Sequence, residues 1–155
     1  MAIEKAKAYL KLFNMDDEVL EFEVSSATVE LAAFAVGCEP ARIAKTLSFY
    51  VEEKPILIVA AGDTKIDNSK YKKTFHCKAK MIPGSEVEGC IGHGVGGVCP
   101  FGVNKGVTIY LDESLKRFET VFPACGSSNS AIELTIEELE DCSSYTEWVD
   151  VCKLP

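Results

Sequence analysis

The segment Gly92-His93-Gly94-Val95-Gly96-Gly97-Val98-Cys99-Pro100-Phe101-Gly102 constrains this chain more than any other. It holds five glycines and a proline in eleven residues. Glycine loses the most backbone entropy on folding and adds no side chain to a core, so core packing does not account for such a run. Two readings remain. The loop is either a tight connection between elements, or a backbone brought close to a ligand with its N–H groups aimed at it. A nucleotide cradle fails in detail. Gly92-x-Gly94-x-Gly96-Gly97 approximates a dinucleotide fingerprint, but Pro100 falls where the helix should run and no long strand precedes the glycines. The Gly-Lys-Ser/Thr of a P-loop is absent as well.

Around this loop the chain reads as a single α+β domain over residues 1–155, one mixed sheet with short helices packed on it. Its 155 residues suffice for one sizeable core, and no repeat, low-complexity tract or linker divides them. Ile3, Ala6, Leu10 and Phe13 recur at spacings of three and four, which predicts an amphipathic helix. Val19 to Phe22 alternates like a short strand. Thr28 opens a helix that packs Val29, Ala32, Ala33 and Val36 and stops at Gly37, and Pro40 starts a second, shorter one. Leu47–Val51 and Ile56–Ala60 are apolar runs joined through Glu52-Glu53-Lys54-Pro55, the pattern of a hairpin. A lysine-rich helix is expected over Ser69–Phe75, and Ser85 with Glu88 suggests a capping box for another. Strands are expected at Val107–Leu111, Phe118–Phe122 and Ala131–Leu134, and Thr135 with Glu138 caps a closing helix.

Composition excludes several classes. With 47% hydrophobic and 26% charged residues the chain is not a disordered one. Its longest uncharged stretch, Gly89 to Asn104, is too rich in glycine, with Pro100 besides, to span a membrane as a helix. Met1 to Lys5 lacks the apolar core of a signal peptide, so a cytoplasmic protein is expected. Seven cysteines, an odd number with no Cys-x-x-Cys pair, point to reduced thiols that mostly pack as small hydrophobes. A net charge of −8 argues against a general nucleic-acid binder. The charge is uneven, however. Lys65, Lys70, Lys72, Lys73, Lys78 and Lys80 face the single acid Asp67 between residues 64 and 80, while Glu119 to Asp150 contains no basic residue. The lysine cluster is either a solvated helix face or a local docking patch for a polyanion.

Three further candidates stand beside the loop. His93 and Cys99 invite a cysteine nucleophile, but the sequence supplies no third group to orient the base. Cys77, Cys90, His93 and Cys99 do not form the two close pairs of a structural zinc site, so no metal and no cofactor is expected. Lys45, in Ile43-Ala44-Lys45-Thr46-Leu47, lies between a helix and an apolar strand. There it either points to solvent or holds a phosphate or carbonyl oxygen as a compact ammonium.

Lys45-Thr46-Leu47, Ala60-Ala61-Gly62-Asp63, Gly92 with Gly96-Gly97-Val98-Cys99-Pro100-Phe101-Gly102, Tyr110-Leu111-Asp112-Glu113 and Ala124-Cys125-Gly126 follow one another in an informative order. In this order the chain resembles the YbaK/prolyl-tRNA synthetase-associated editing domain family, over roughly residues 20 to 142. The resemblance implies a free-standing deacylase that hydrolyses mischarged aminoacyl-tRNA, in most members a small wrong amino acid on the proline tRNA. It implies catalysis by Lys45 and the loop Gly96, Gly97, Val98, Cys99 and Pro100, whose backbone positions a water and stabilises the developing oxyanion. Thr46, His93, Phe101, Gly102, Ala124, Cys125, Gly126 and Ala131 are the expected substrate-binding residues. Lys65, Lys70, Lys72 and Lys73 are our own candidates for the acceptor-stem phosphates, and a synthetase is a further candidate partner. Many relatives carry serine in place of Cys99 and glycine in place of Cys125. Ala131 and the two cysteines suggest a small, weakly polar pocket for alanine, serine or a similar side chain. Two other readings are a non-catalytic tRNA- or synthetase-binding module and a thiol hydrolase using Cys99.

Overall fold

The computed structural model describes residues 2–155. In chain order the strands are β1 (Leu20–Glu21), β2 (Ile43–Val51), β3 (Lys54–Ala61), β4 (Lys65–Ile66), β5 (Thr108–Asp112), β6 (Thr120–Pro123), β7 (Ser130–Ala131), β8 (Leu134–Thr135), β9 (Glu147–Val149) and β10 (Cys152–Lys153). The helices are α1 (Ala2–Lys11), α2 (Val29–Val36), α3 (Asn68–Phe75), α4 (Gly84–Ile91) and α5 (Ile136–Ser143). The fold class is α+β, as expected.

The hairpin β2–β3 is its centre. Glu52 and Glu53, both at positive φ, turn the chain so that Val51 pairs with Lys54, and the register then runs unbroken to Ala44 and Ala61. β3 is buried from Ile56 to Ala61, which explains why it reads as a continuous apolar run rather than an alternating one. The six-stranded sheet has the order β8-β6-β2-β3-β5-β9. On one face Val59 and Ala61 pack with Ala6 and Leu10 of α1 and with Phe101. On the other, Phe49, Ile58 and Ala60 pack with Tyr71 of α3, Val149 and Val151. Thr28 caps α2 by accepting from Leu31 N–H at 3.2 Å, and Gly37 ends it at φ 77°. Thr135 and Glu138 form the expected capping box.

Some expectations are corrected. Phe13 lies beyond α1 and is partly exposed. The residues after Pro40 make one 3₁₀ turn, Pro40–Arg42. β2 begins at Ile43, so Lys45 lies within the strand rather than before it. α4 is preceded by Pro83 as N-cap with no side-chain cap, so Ser85 forms no capping box. Residues 131–134 are split, with β7 pairing with β1 and β8 with β6. β4, β9 and β10 have too few residues to show a period of two, so the sequence pattern does not predict them. Among the described residues no helix is long and apolar enough to cross a membrane.

Candidate active site

A gap in the sheet makes the site. β6 pairs with β2 only where Phe122 and Pro123 meet Ile43 and Ala44. Farther along the same edge, Phe49 bridges Met81, with Ile82 N–H donating to Ser48 O at 3.1 Å and Tyr50 N–H to Lys80 O at 2.9 Å. Alternate residues of a strand aim their main-chain polar groups at opposite edges. Ser48 and Tyr50 aim theirs away from β3, and so does Thr46, two residues earlier. The N–H and C=O of Thr46 therefore face an edge that neither β6 nor the Met81 segment covers.

A cavity of about 360 Å³ opens at this bare edge. Ile43 to Ser48 form its floor, Thr28, Val29 and Ala32 one wall, and Ile82 and Val87 another. Val95, Gly96 and Val98 from the glycine loop, together with Ala124, Ser130 and Ala131, complete it. The lining is chiefly apolar. Two of its hydroxyls, Ser26 Oγ and Thr46 Oγ1, are buried without a hydrogen-bond partner in the protein.

Lys45 stands half-buried at this site, and its Nζ donates to the carbonyl of Thr64. Burial lowers its pKa below the ordinary lysine value. The turn that presents this carbonyl is held from two sides. Thr64 Oγ1 donates to Ala61 O at 2.7 Å, and Arg117 grips Asp63 through two bonds of 2.6 and 3.1 Å. That guanidinium keeps the Asp63 carboxyl below its usual range. A Cβ on Gly62 would stand 2.2 Å from Pro40 O, so only glycine lets the turn pack here.

The glycine loop has two sides. Gly96, at φ 92°, and Val98 line the cavity. A Cβ on Gly97 would stand 2.6 Å from both the Gly126 carbonyl carbon and the Ser127 nitrogen. Its close approach is thus to protein backbone, not to a ligand. Gly102, at φ 71°, is pressed likewise against Lys5 O of α1. Pro100, Phe101, Cys125 and Gly126 are buried behind the loop, outside the lining. His93 is fully buried with Nε2 2.6 Å from the Phe101 carbonyl, and burial lowers its pKa, so it packs as a neutral ring. Cys99 is fully buried too, and burial pushes its thiol up to about 12. Burial raises Cys125 as well. A His93–Cys99 nucleophile is therefore corrected: neither side chain lines the cavity, and the thiol stays protonated at neutral pH.

Of the expected site residues, the fold gathers Lys45, Thr46, Gly96, Val98, Ala124 and Ala131 around the cavity. It sets Gly97, Cys99, Pro100, His93, Phe101, Gly102, Cys125 and Gly126 in the packing that supports it. Ser26 escaped the sequence reading because a serine just before a helix start reads as turn chemistry. Lys65 on β4 is exposed, and its charge helps lower the Lys45 pKa. Lys72 and Lys73 are exposed on α3, whereas Lys70 is engaged with Asp150 and with Cys152 O, each at 3.0 Å.

The model of the aminoacyl-tRNA editing domain matches residues 23–142. The protein YwhH of Bacillus subtilis (strain 168) is 54% identical over 154 residues, 99% of this chain and 98% of that protein. A proline–tRNA ligase of Bacillus cytotoxicus is 25% identical over 149 residues, and the chain spans 24% of the ligase's length. A solved structure, described as a candidate trans-editing enzyme for prolyl-tRNA synthetase, superposes with a TM-score of 0.87 at 27% identity, covering 98% of this chain and 97% of that one.

Proposed function

Because this chain belongs to the aminoacyl-tRNA editing domain family, we propose that it hydrolyses the ester of mischarged aminoacyl-tRNA, removing a small amino acid wrongly attached to the proline tRNA. One observation carries this reading. An apolar cavity sized for a small side chain and a ribose is bordered by a half-buried lysine, the Gly96–Val98 backbone and a bare strand edge at Thr46. An aminoacyl ester is already activated, so hydrolysis needs a positioned water and a stabilised oxyanion rather than a strong nucleophile. The loop backbone at Gly96 and Val98 supplies the positioning, with Gly97 docked on Gly126–Ser127 to hold it still. Lys45 holds the terminal phosphate or ribose end of the tRNA, anchored by the Thr64 carbonyl until substrate arrives. Exposed Lys65, Lys72 and Lys73 meet acceptor-stem phosphates that the net charge of −8 would otherwise repel. Work on tRNA, alone or beside a synthetase, fits a cytoplasmic protein. The test is a deacylation screen over a panel of mischarged tRNAs. Release of a small amino acid is the expected result. Binding without turnover on any of them would replace this reading with that of a non-catalytic tRNA-binding module.

A further inference from the structure

We propose that Ser26 sets which amino acid is removed: with Thr46, it makes the cavity select a side chain carrying a hydroxyl, seryl over alanyl. This rests on the editing reading above and refines it.

Of the hydroxyls lining the cavity, those of Thr28 and Ser130 are engaged within the protein, whereas those of Ser26, Thr46 and Ser48 are not. Thr28 Oγ1 accepts from Leu31 N–H at 3.2 Å as the α2 cap. Ser130 Oγ donates to Ser127 O at 3.4 Å and lies 2.7 Å from Ser127 Oγ, which in turn lies 2.9 Å from Asn129 Oδ1. Ser25, just outside, accepts from Ala27 N–H at 3.2 Å and so already serves the turn. Ser26 Oγ and Thr46 Oγ1 have no such task. Ser26 is only 7% exposed, and its backbone is fixed by its N–H donating to Ser128 O at 2.6 Å. Its neighbour Ala27 packs against Gly96. The hydroxyl is therefore shielded from bulk solvent on a residue that lines the cavity.

Leaving a buried hydroxyl unpaired is unfavourable, and the penalty is relieved when a ligand supplies the missing partner. Most of the surrounding lining is apolar, from Ala27, Ala32 and Val98 to Ala131. A seryl hydroxyl, which both donates and accepts, satisfies Ser26 and Thr46. An alanyl methyl leaves them stranded. The N–H and C=O of Thr46 on the bare edge suit the amino and ester groups common to every aminoacyl substrate, so they do not discriminate. A site built to hydrogen-bond a substrate group discriminates more sharply than one that only measures size.

The test titrates the full chain calorimetrically with non-hydrolysable seryl- and alanyl-adenosine amides. The wild type should bind the seryl compound about tenfold more tightly or better, and Ser26→Ala should reduce that ratio to under about threefold. Thr46→Val, which keeps the shape and removes the hydroxyl, should also reduce it. The Ser26→Ala protein should melt no lower than the wild type, since this hydroxyl makes no bond in the free protein. Equal affinities in the wild type, no binding of either compound, a ratio unmoved in Ser26→Ala, or a lowered melting temperature would each overturn the proposal. Turnover of seryl- and alanyl-tRNA is measured in parallel. Equal hydrolysis of both keeps the deacylase and overturns Ser26 as its selector. Seryl preference in binding without any turnover keeps Ser26 and overturns the deacylase.

Discussion

At Lys45 a charge is kept partly out of water with a carbonyl, not a carboxylate, as its partner. Such a group is less favourable to the fold than a neutral side chain, and more responsive to an incoming anion. Lys45→Met should therefore lower deacylation by about 2–4 kcal/mol of transition-state stabilisation, the scale of one electrostatic donor. It should also raise stability at neutral pH. Because the folded-state pKa lies below the unfolded 10.5, the unfolded chain holds the extra proton between those values, and wild-type stability climbs with pH across that window. The advantage of Lys45→Met should shrink there, as denaturant titrations at neutral and alkaline pH would reveal. Cys99 calls for the opposite expectation. Its thiol is buried and held protonated, so Cys99→Ser should keep kcat/KM within about tenfold, roughly 1.4 kcal/mol. Iodoacetamide should leave Cys99 unmodified in the folded protein. A large loss of turnover in Cys99→Ser, or rapid alkylation, would contradict its place in the packing.

Among the elements, the glycine loop separates into positions with different physical reasons. Gly97 faces the Gly126–Ser127 backbone at a distance no Cβ tolerates, and neither side is a flexible side chain that can yield. Gly97→Ala should cost roughly 1–3 kcal/mol of stability, read as a lower melting temperature, with activity falling alongside. Gly89 sits exposed in α4 with nothing within 4 Å of a Cβ. Gly89→Ala should stabilise by up to about 1 kcal/mol through helix propensity, with turnover intact. If the two variants melt alike, the loop is not docked as described.

For the molecule as a whole, the lysine cluster packs along the end of the acidic C-terminal third, through β4 paired with β10 and an ion pair from Lys70 to Asp150. Lys70 bridges to Asp150 and to the β10 backbone, so it ties α3 to the end of the chain. Lys72 and Lys73 have no such duty. Lys72→Glu with Lys73→Glu should raise the KM for mischarged tRNA and flatten its salt dependence, leaving the melting temperature near wild type. Lys70→Glu should lower the melting temperature as well, because it sets two carboxylates against each other. An unchanged KM at low salt would return Lys72 and Lys73 to a simple solvated face.

The sequence by itself determined what depends on neighbours along the chain. The α2 and α5 caps, the β2–β3 hairpin and the helix of lysines are written in adjacent residues, and so is a loop too rich in glycine to be core. Lys45 and the loop stood out as candidates because their residue types are odd for their places, and the family resemblance supplied their expected roles. Only the tertiary structure decided which loop residues meet the cavity. Gly96 and Gly97 are neighbours in sequence, yet one lines the cavity and the other is pressed on the Gly126–Ser127 backbone. It also decided the two-residue strands, which exist through their partners and carry no period of their own. Ser26 became visible last. Whether a serine hydroxyl is engaged by a turn or left for a ligand depends on atoms more than a hundred positions away, and Ser26 is held by Ser128.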